Sequence, residues 1–129
     1  MARVTGTGAA ERSVAAAEST LYDRVLESIG FRPRVAERKM FGARAIVVDA
    51  KLCCSVKGSR IMVRVDPSLH ATLLKRDGVR PLTMSNRTYP GWLIVQDTAL
   101  RTKRQLDYWI GLALEYNPRA PVSKKRSRR

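Results

Sequence analysis

Hydrophobic positions along this chain fall into three stretches of helical period, separated by runs with the two-residue period of strands. In TLYDRVLESIG, Leu21, Val25, Leu26 and Ile29 recur on one helical face. Thr20 and Asp23 have capping-box spacing, Gly30 suits a left-handed stop, and the alanine-rich AAAES in front extends the helical pattern backward. In DPSLHATLLKRDG, Asp66 is a good N-cap and Pro67 falls at the first helical position, where its missing N–H costs nothing. With Leu69 and Leu73 packing and Gly78 as terminator, a helix of about three turns is expected. In TKRQLDYWIGLALEYNP, Thr102 and Gln105 form a second capping box. Leu106, Trp109, Ile110 and Ala113 then follow the helical spacing until Pro118 forbids continuation.

Between the first two helices the period becomes that of a sheet. Residues 44–48, 51–57 and 60–65 are β-rich, separated by Asp49-Ala50 and by Gly58-Ser59. Gly58 followed by Ser59 matches a two-residue type II′ hairpin turn, because glycine accepts the required positive φ without steric cost. Residues 79–84 and 91–97 add two further strands around the turn-like SNRTYP. The order α-β-β-β-α-β-β-α predicts an α+β domain of two layers, an antiparallel sheet with helices on one face.

Composition narrows the setting. A chain of 129 residues fits one domain, and 44% hydrophobic with 28% charged residues fits a globular one. The 25 Lys and Arg outnumber the 11 Asp and Glu for a net charge of +14, a field that draws nucleic acid, acidic proteins or anionic lipid. Beyond Glu115 no acidic residue remains. Arg119, Lys124, Lys125, Arg126, Arg128 and Arg129, spaced by Pro118 and Pro121, make residues 118–129 a flexible basic arm. Residues 1–12 lack the apolar core of a secretory signal and are read as a flexible N-terminus, which leaves 13–117 as the domain. No run of 18 or more apolar residues occurs, so no membrane span is expected. Two cysteines are too few for a disulfide framework, in keeping with a reducing, cytoplasmic setting.

Those cysteines, Cys53 and Cys54, are adjacent. In an unbroken strand Leu52, Cys54 and Val56 share one face, and Lys51, Cys53, Ser55 and Lys57 the other. Opposed thiols cannot grip one metal, and an extended dipeptide does not offer disulfide geometry. Cys54 is then a small core hydrophobe, with Cys53 near the other surface among polar neighbours. The competing reading makes Cys53 a redox-sensing thiol, its thiolate favoured by Lys51 and Lys57. His70 is the only histidine and has no zinc-site spacing around it. Neither GxxxxGK[ST] nor GxGxxG is present, and no nucleophile, base and orienting acid assemble by spacing. No enzyme activity, cofactor or metal is expected.

The element order, together with KMFGARAIVV, KLCCSV, RIMVRV, VRPLTM and YPGWLIV, resembles the N-terminal domain of TfoX, the competence regulator also called Sxy, and its small stand-alone relatives. The resemblance covers roughly residues 18–117. Its most specific piece is Lys39, Met40, Phe41 and Gly42 ahead of the strand meander, with Ala43 standing where the family usually has a second glycine. The resemblance implies a two-layer fold similar to secretion chaperones, which commonly work as dimers. It also implies a role in transcription or competence regulation, or in protein interaction, rather than catalysis. The competence regulators carry a second, helical domain, and here a stand-alone member is expected.

Two classes of partner follow. An unidentified protein, or a second copy forming a homodimer, could use an uncovered sheet edge. Met40 and Phe41 are expected to flank the helix–sheet seam. Nucleic acid could instead lie along a basic strip of Lys57, Arg60 and Arg64 and on the arm, through phosphate contacts. Tyr89 and Trp92 could stack on unpaired bases, although a tryptophan in a strand more commonly packs in the core.

Overall fold

The computed structural model describes the backbone of residues 2–40 and 42–121, and the side chains of 15–40 and 42–121. Helix α1 (Ala2–Ile29) is followed by strands β1 (Val35–Met40), β2 (Ala43–Val48), β3 (Lys51–Lys57) and β4 (Arg60–Arg64). A short α2 (His70–Leu73) comes next, then β5 (Val79–Met84), β6 (Arg87–Val95) and α3 (Lys103–Tyr116). The strands form one antiparallel sheet in the order β1-β2-β3-β4-β6-β5. This is the α+β order expected, with β1 added in front. β1 reads VAERKM, too charged to show a strand's apolar alternation, and it exists because it pairs with β2 along its whole length.

α1 is longer than its apolar stripe. It begins at Ala2 and so runs through residues 2–12, and Thr20 is interior rather than a cap. Its C-terminal half is pinned: Glu18 accepts from the Gly58 N–H at 2.8 Å, Arg24 donates to the Leu100 carbonyl at 2.7 Å, and Ser28 donates to Asp107 on α3 at 2.6 Å. The α2 region is shorter than three turns. Asp66 caps a 3-10 turn over Pro67–Leu69 by accepting from Ser68 N at 2.9 Å, and α2 adds only four residues. Leu73 alone is buried there, so no continuing apolar stripe holds further turns. α3 has the expected Thr102–Gln105 capping box.

The core lies between the helices and one sheet face. Ile46, Cys54, Val56, Ile61, Val63 and Val95 meet Leu21, Val25, Ile29, Leu106, Trp109 and Ile110, all essentially without solvent contact. Among the described residues, the opposite face carries no helix. Gly58 alone has positive φ in the β3–β4 turn, at +61°, as a type II′ turn requires. Asp49 and Ala50 (φ 53° and 67°) and Ser85 and Asn86 (φ 52° and 63°) are both left-handed in the β2–β3 and β5–β6 hairpins, the pattern of type I′ turns.

One departure from regular pairing rearranges β3. Ile46 pairs with Cys54 but Val47 pairs with Leu52, so Cys53 is an extra residue in a β-bulge. An unbroken strand would send the two thiols to opposite faces. The bulge sends both into the helix-side core, with Cys53 at 1% and Cys54 at 0% exposure. Lys51 and Lys57 therefore do not share a face: Lys51 Nζ donates to the Pro118 carbonyl beyond α3 at 3.0 Å, whereas Lys57 lies on the helix-free side.

The chain after α3 stays attached through residue 120. A 3-10 turn spans Asn117–Arg119, Arg119 pairs with Asp66 at 2.8 Å, and Ala120 is buried. Arg119 is thus tied to the domain rather than extended on an arm.

Candidate docking groove on the open sheet face

The helix-free face should be polar if it merely met water, since a one-sided antiparallel sheet alternates apolar-in and polar-out. It is not. Ala45, Ser55, Met62 and Ile94 face each other across β2, β3, β4 and β6 by direct register. Met40 and Ala43, paired at the β1–β2 turn, extend this surface on one side, and Leu82 and Met84 of β5 extend it on the other. Leu52, Tyr89 and Trp92 complete an apolar groove of about 420 Å³. Leu52 belongs to it because of the bulge, which reverses the alternation between residues 52 and 54. A volume of this size, mostly apolar with a few polar groups, has the character of a binding site.

Its polar groups are cationic. Lys57 and Arg60, directly paired across the β3–β4 hairpin, line the groove on its two middle strands, and neither forms a salt bridge among the described residues. Arg64 pairs with Trp92 and lays its guanidinium 4.8 Å from the indole centroid. Burial pulls the Arg64 guanidinium below its ordinary value. Arg87 stands 5.7 Å from the Tyr89 ring. Among the described residues, no acidic one lines the groove.

The electrostatics of the helix side differ. There Arg44 stacks 3.7 Å from the Tyr22 ring and donates to Glu37 at 2.9 Å. The Arg44 bond holds the Glu37 carboxyl below the usual range, while burial and the Glu37 bond push the Tyr22 hydroxyl up to about 12. Asp66 is held down at about 2 by Arg119 and the Ser68 N–H.

The residues singled out from the sequence separate in space. Met40 lies on the open face rather than at the helix–sheet seam, and Lys39 is exposed on β1. Phe41 lies outside the described residues. Gly42 turns the chain at φ +76°, with Lys57 Nζ 3.6 Å from where a Cβ would stand. Ala43 enters β2 without a positive φ, so nothing in its backbone calls for a second glycine. Lys57, Arg60 and Arg64 do come together, on the groove face. Lys124, Lys125, Arg126, Arg128 and Arg129 lie outside the described residues. Trp92 is on the open face, not in the core; Trp109 is the core tryptophan.

Cys53 is buried and does not face the Lys51–Lys57 pair expected to activate it. Its hydrogen bond with Cys54, with the Arg32 charge, holds the Cys53 thiol below its ordinary value, while that bond and complete burial push the Cys54 thiol up. No cluster of metal-ligating side chains occurs among the described residues. Met62, Ile94, Leu52, Leu82 and Met84 escape a search for chemistry-bearing residues. Their signal was uncharged residues at alternating positions on the face that should have been polar.

The profile of the TfoX N-terminal domain matches residues 27–116. The chain belongs to that family. Matched residues thus run from the end of α1 to the last residue of α3, and include every strand and both walls of the groove. No curated protein matches the chain. Among the described residues of this TfoX N-terminal domain, no helix is long and apolar enough to cross a membrane.

Proposed function

We propose that this TfoX N-terminal domain is a non-enzymatic, cytoplasmic regulatory module that works by docking a partner protein on the open face of its sheet. The observation that carries the reading is the apolar groove on a face where a solvated sheet would be polar. Folding does not account for that surface, because the core is complete on the other side. The two edge strands are poorer docking sites. β1 presents Glu37, Arg38 and Lys39, and β5 carries Pro81 beside an irregularity in its pairing, both devices that discourage strand addition. The test places a photoreactive amino acid at position 62 or at exposed position 115 of α3 in living cells. Discrete adducts from position 62 alone are expected; no adduct there, or the same adducts from both positions, would overturn the reading.

Nucleic-acid binding is the second reading, favoured by the Arg64–Trp92 stack and the carboxylate-free Lys57 and Arg60 on one open sheet. A salt series with a short duplex and a single strand checks it, comparing the full chain with one ending at Pro121, the last described residue. On this reading binding at physiological salt is substantial and collapses with truncation or added salt. Absence of binding by both chains would remove it.

A further inference from the structure

The groove's neighbours specify the chemistry of its occupant, if the docking reading above holds. Residues 50–65 and 78–96, which supply β3, β4, β5 and β6, contain no Asp or Glu, and neither does β2. Among the described residues, Glu18, Asp23 and Glu27 on α1 and Asp107 and Glu115 on α3 lie in the layer behind the sheet. The two faces of the domain therefore differ in charge as well as in polarity. Around the groove stand Lys57, Arg60, Arg64, Arg80 and Arg87, with Arg80 opposite Ile94 in register. A cationic partner would meet repulsion here, and an uncharged one would leave Lys57 and Arg60 without counter-charges.

The shape of the lining adds a second constraint. It runs across the sheet from Met40 on β1 to Leu82 and Met84 on β5. With strands about 4.8 Å apart, that path is ~24 Å long, the length of roughly four helical turns. A volume of about 420 Å³ admits the anchoring side chains of such a helix but not its backbone. Met40, Met62 and Met84, three of the chain's four methionines, line it. Unbranched thioether side chains repack around apolar anchors, as suits a groove that takes a helix. A partner strand would instead need a free edge, and both edges are guarded.

We infer that the groove binds an amphipathic helical segment of a partner protein whose apolar stripe is flanked by carboxylates. The apolar stripe lies over Met62, Ile94 and Trp92, and the carboxylates meet Lys57 and Arg60 on the two middle strands and the arginines of β5 and β6 towards the β5 end.

The test uses the full chain and synthetic helical peptides of about four turns, with leucines at i, i+3, i+4 and i+7 and either glutamates or lysines flanking them. Trp92 fluorescence reports groove occupancy, with Trp109 buried in the core as an internal reference. The expected result is saturable binding of the glutamate peptide, on the order of tenfold tighter than the lysine peptide. Lys57→Glu with Arg60→Glu should reverse that preference, and Met62→Asp should abolish binding while thermal unfolding shows the variant folded. Equal binding of both peptides, still lost in Met62→Asp, would overturn the acidic partner and leave the docking face standing. Binding of neither peptide, or binding indifferent to Met62→Asp, would overturn both. A single-stranded oligonucleotide that changes Trp92 fluorescence where the glutamate peptide does not would assign the face to nucleic acid and overturn the proposal.

Discussion

The two tryptophans offer a direct test of which sheet face holds the fold together. Trp109 is 2% exposed, sits in the helix–sheet core and meets Tyr108 edge-on at 5.2 Å. Its replacement by alanine removes a buried side chain and leaves a cavity, a loss of about 4 kcal/mol. Trp92 is half-buried on the groove, opposite Arg64 and under its guanidinium. Trp92→Ala gives up some groove packing and a cation–π contact of ~0.5–1 kcal/mol, for a total near 1–2 kcal/mol. At about 4 °C per kcal/mol, the melting temperature should fall by ~15 °C for Trp109→Ala and by ~4–8 °C for Trp92→Ala. Thermal unfolding followed by circular dichroism measures both, and Trp109→Phe provides a milder core variant should Trp109→Ala not fold. A double-mutant cycle of Trp92→Ala with Arg64→Ala isolates the stacking energy, expected at ~0.5–1 kcal/mol. Losses of equal size at the two tryptophans would refute the division into a structural and an open face.

Other perturbations probe the scaffold around the groove. Gly91→Ala should cost ~3 kcal/mol or more, because the residue has φ +88° and a Cβ would stand 2.6 Å from the Val65 carbonyl oxygen and 3.3 Å from Pro67; chemical denaturation reads the loss, and one under 1 kcal/mol would contradict this packing. Ala50→Gly should stabilise by ~0.5–1 kcal/mol in the same assay, since Ala50 holds φ 67° in its hairpin turn. Because Tyr22 is raised to about 12 while an unfolded tyrosine titrates near 10, its share of stability is complete below pH ~10 and lost as pH rises towards 12; the fall of ~1–2 kcal/mol, allowing for solvent screening, should shrink in Tyr22→Phe when melting is followed across that range. Deleting Cys53 should leave a folded domain only ~1–2 kcal/mol weaker, because the β2–β3 register already skips that residue and the β3–β4 pairing begins only at Cys54, and an unfolded deletion beside a folded Cys53→Ala would show that the bulge itself is required.

Legibility in the sequence followed the strength of local signals. α3 announced itself through a capping box, four apolar positions at helical spacing and a terminating proline, and the structure uses all of them. The β3–β4 hairpin was equally plain, since one glycine satisfied a specific turn. β1 was hidden because a charged edge strand carries no apolar alternation and owes its existence to pairing with β2. The long start of α1 was hidden because its apolar residues at helical spacing begin only at Leu21, so the earlier residues offered composition without periodicity. The groove was half visible. Lys57, Arg60 and Arg64 drew attention as charges, but alternation could not reveal that β3 carries an extra residue. A bulge is a property of two strands in register, and a single strand read alone has no partner to be out of step with.

That extra residue also explains how one short strand serves both faces. With regular alternation Leu52 would join Cys54 and Val56 in the core, and the groove would lose an aliphatic wall beside Ala45. The bulge absorbs Cys53, a side chain small enough to be buried between its neighbours without displacing them, and turns Leu52 outward. The core keeps its continuity through Cys54, Val56, Val63 and Leu93, while the outward set keeps Leu52, Ser55 and Lys57. The core and the open face therefore draw on different side chains of the same strands. Substitutions on the open face act on the proposed docking surface at small cost to stability, as a half-exposed surface allows.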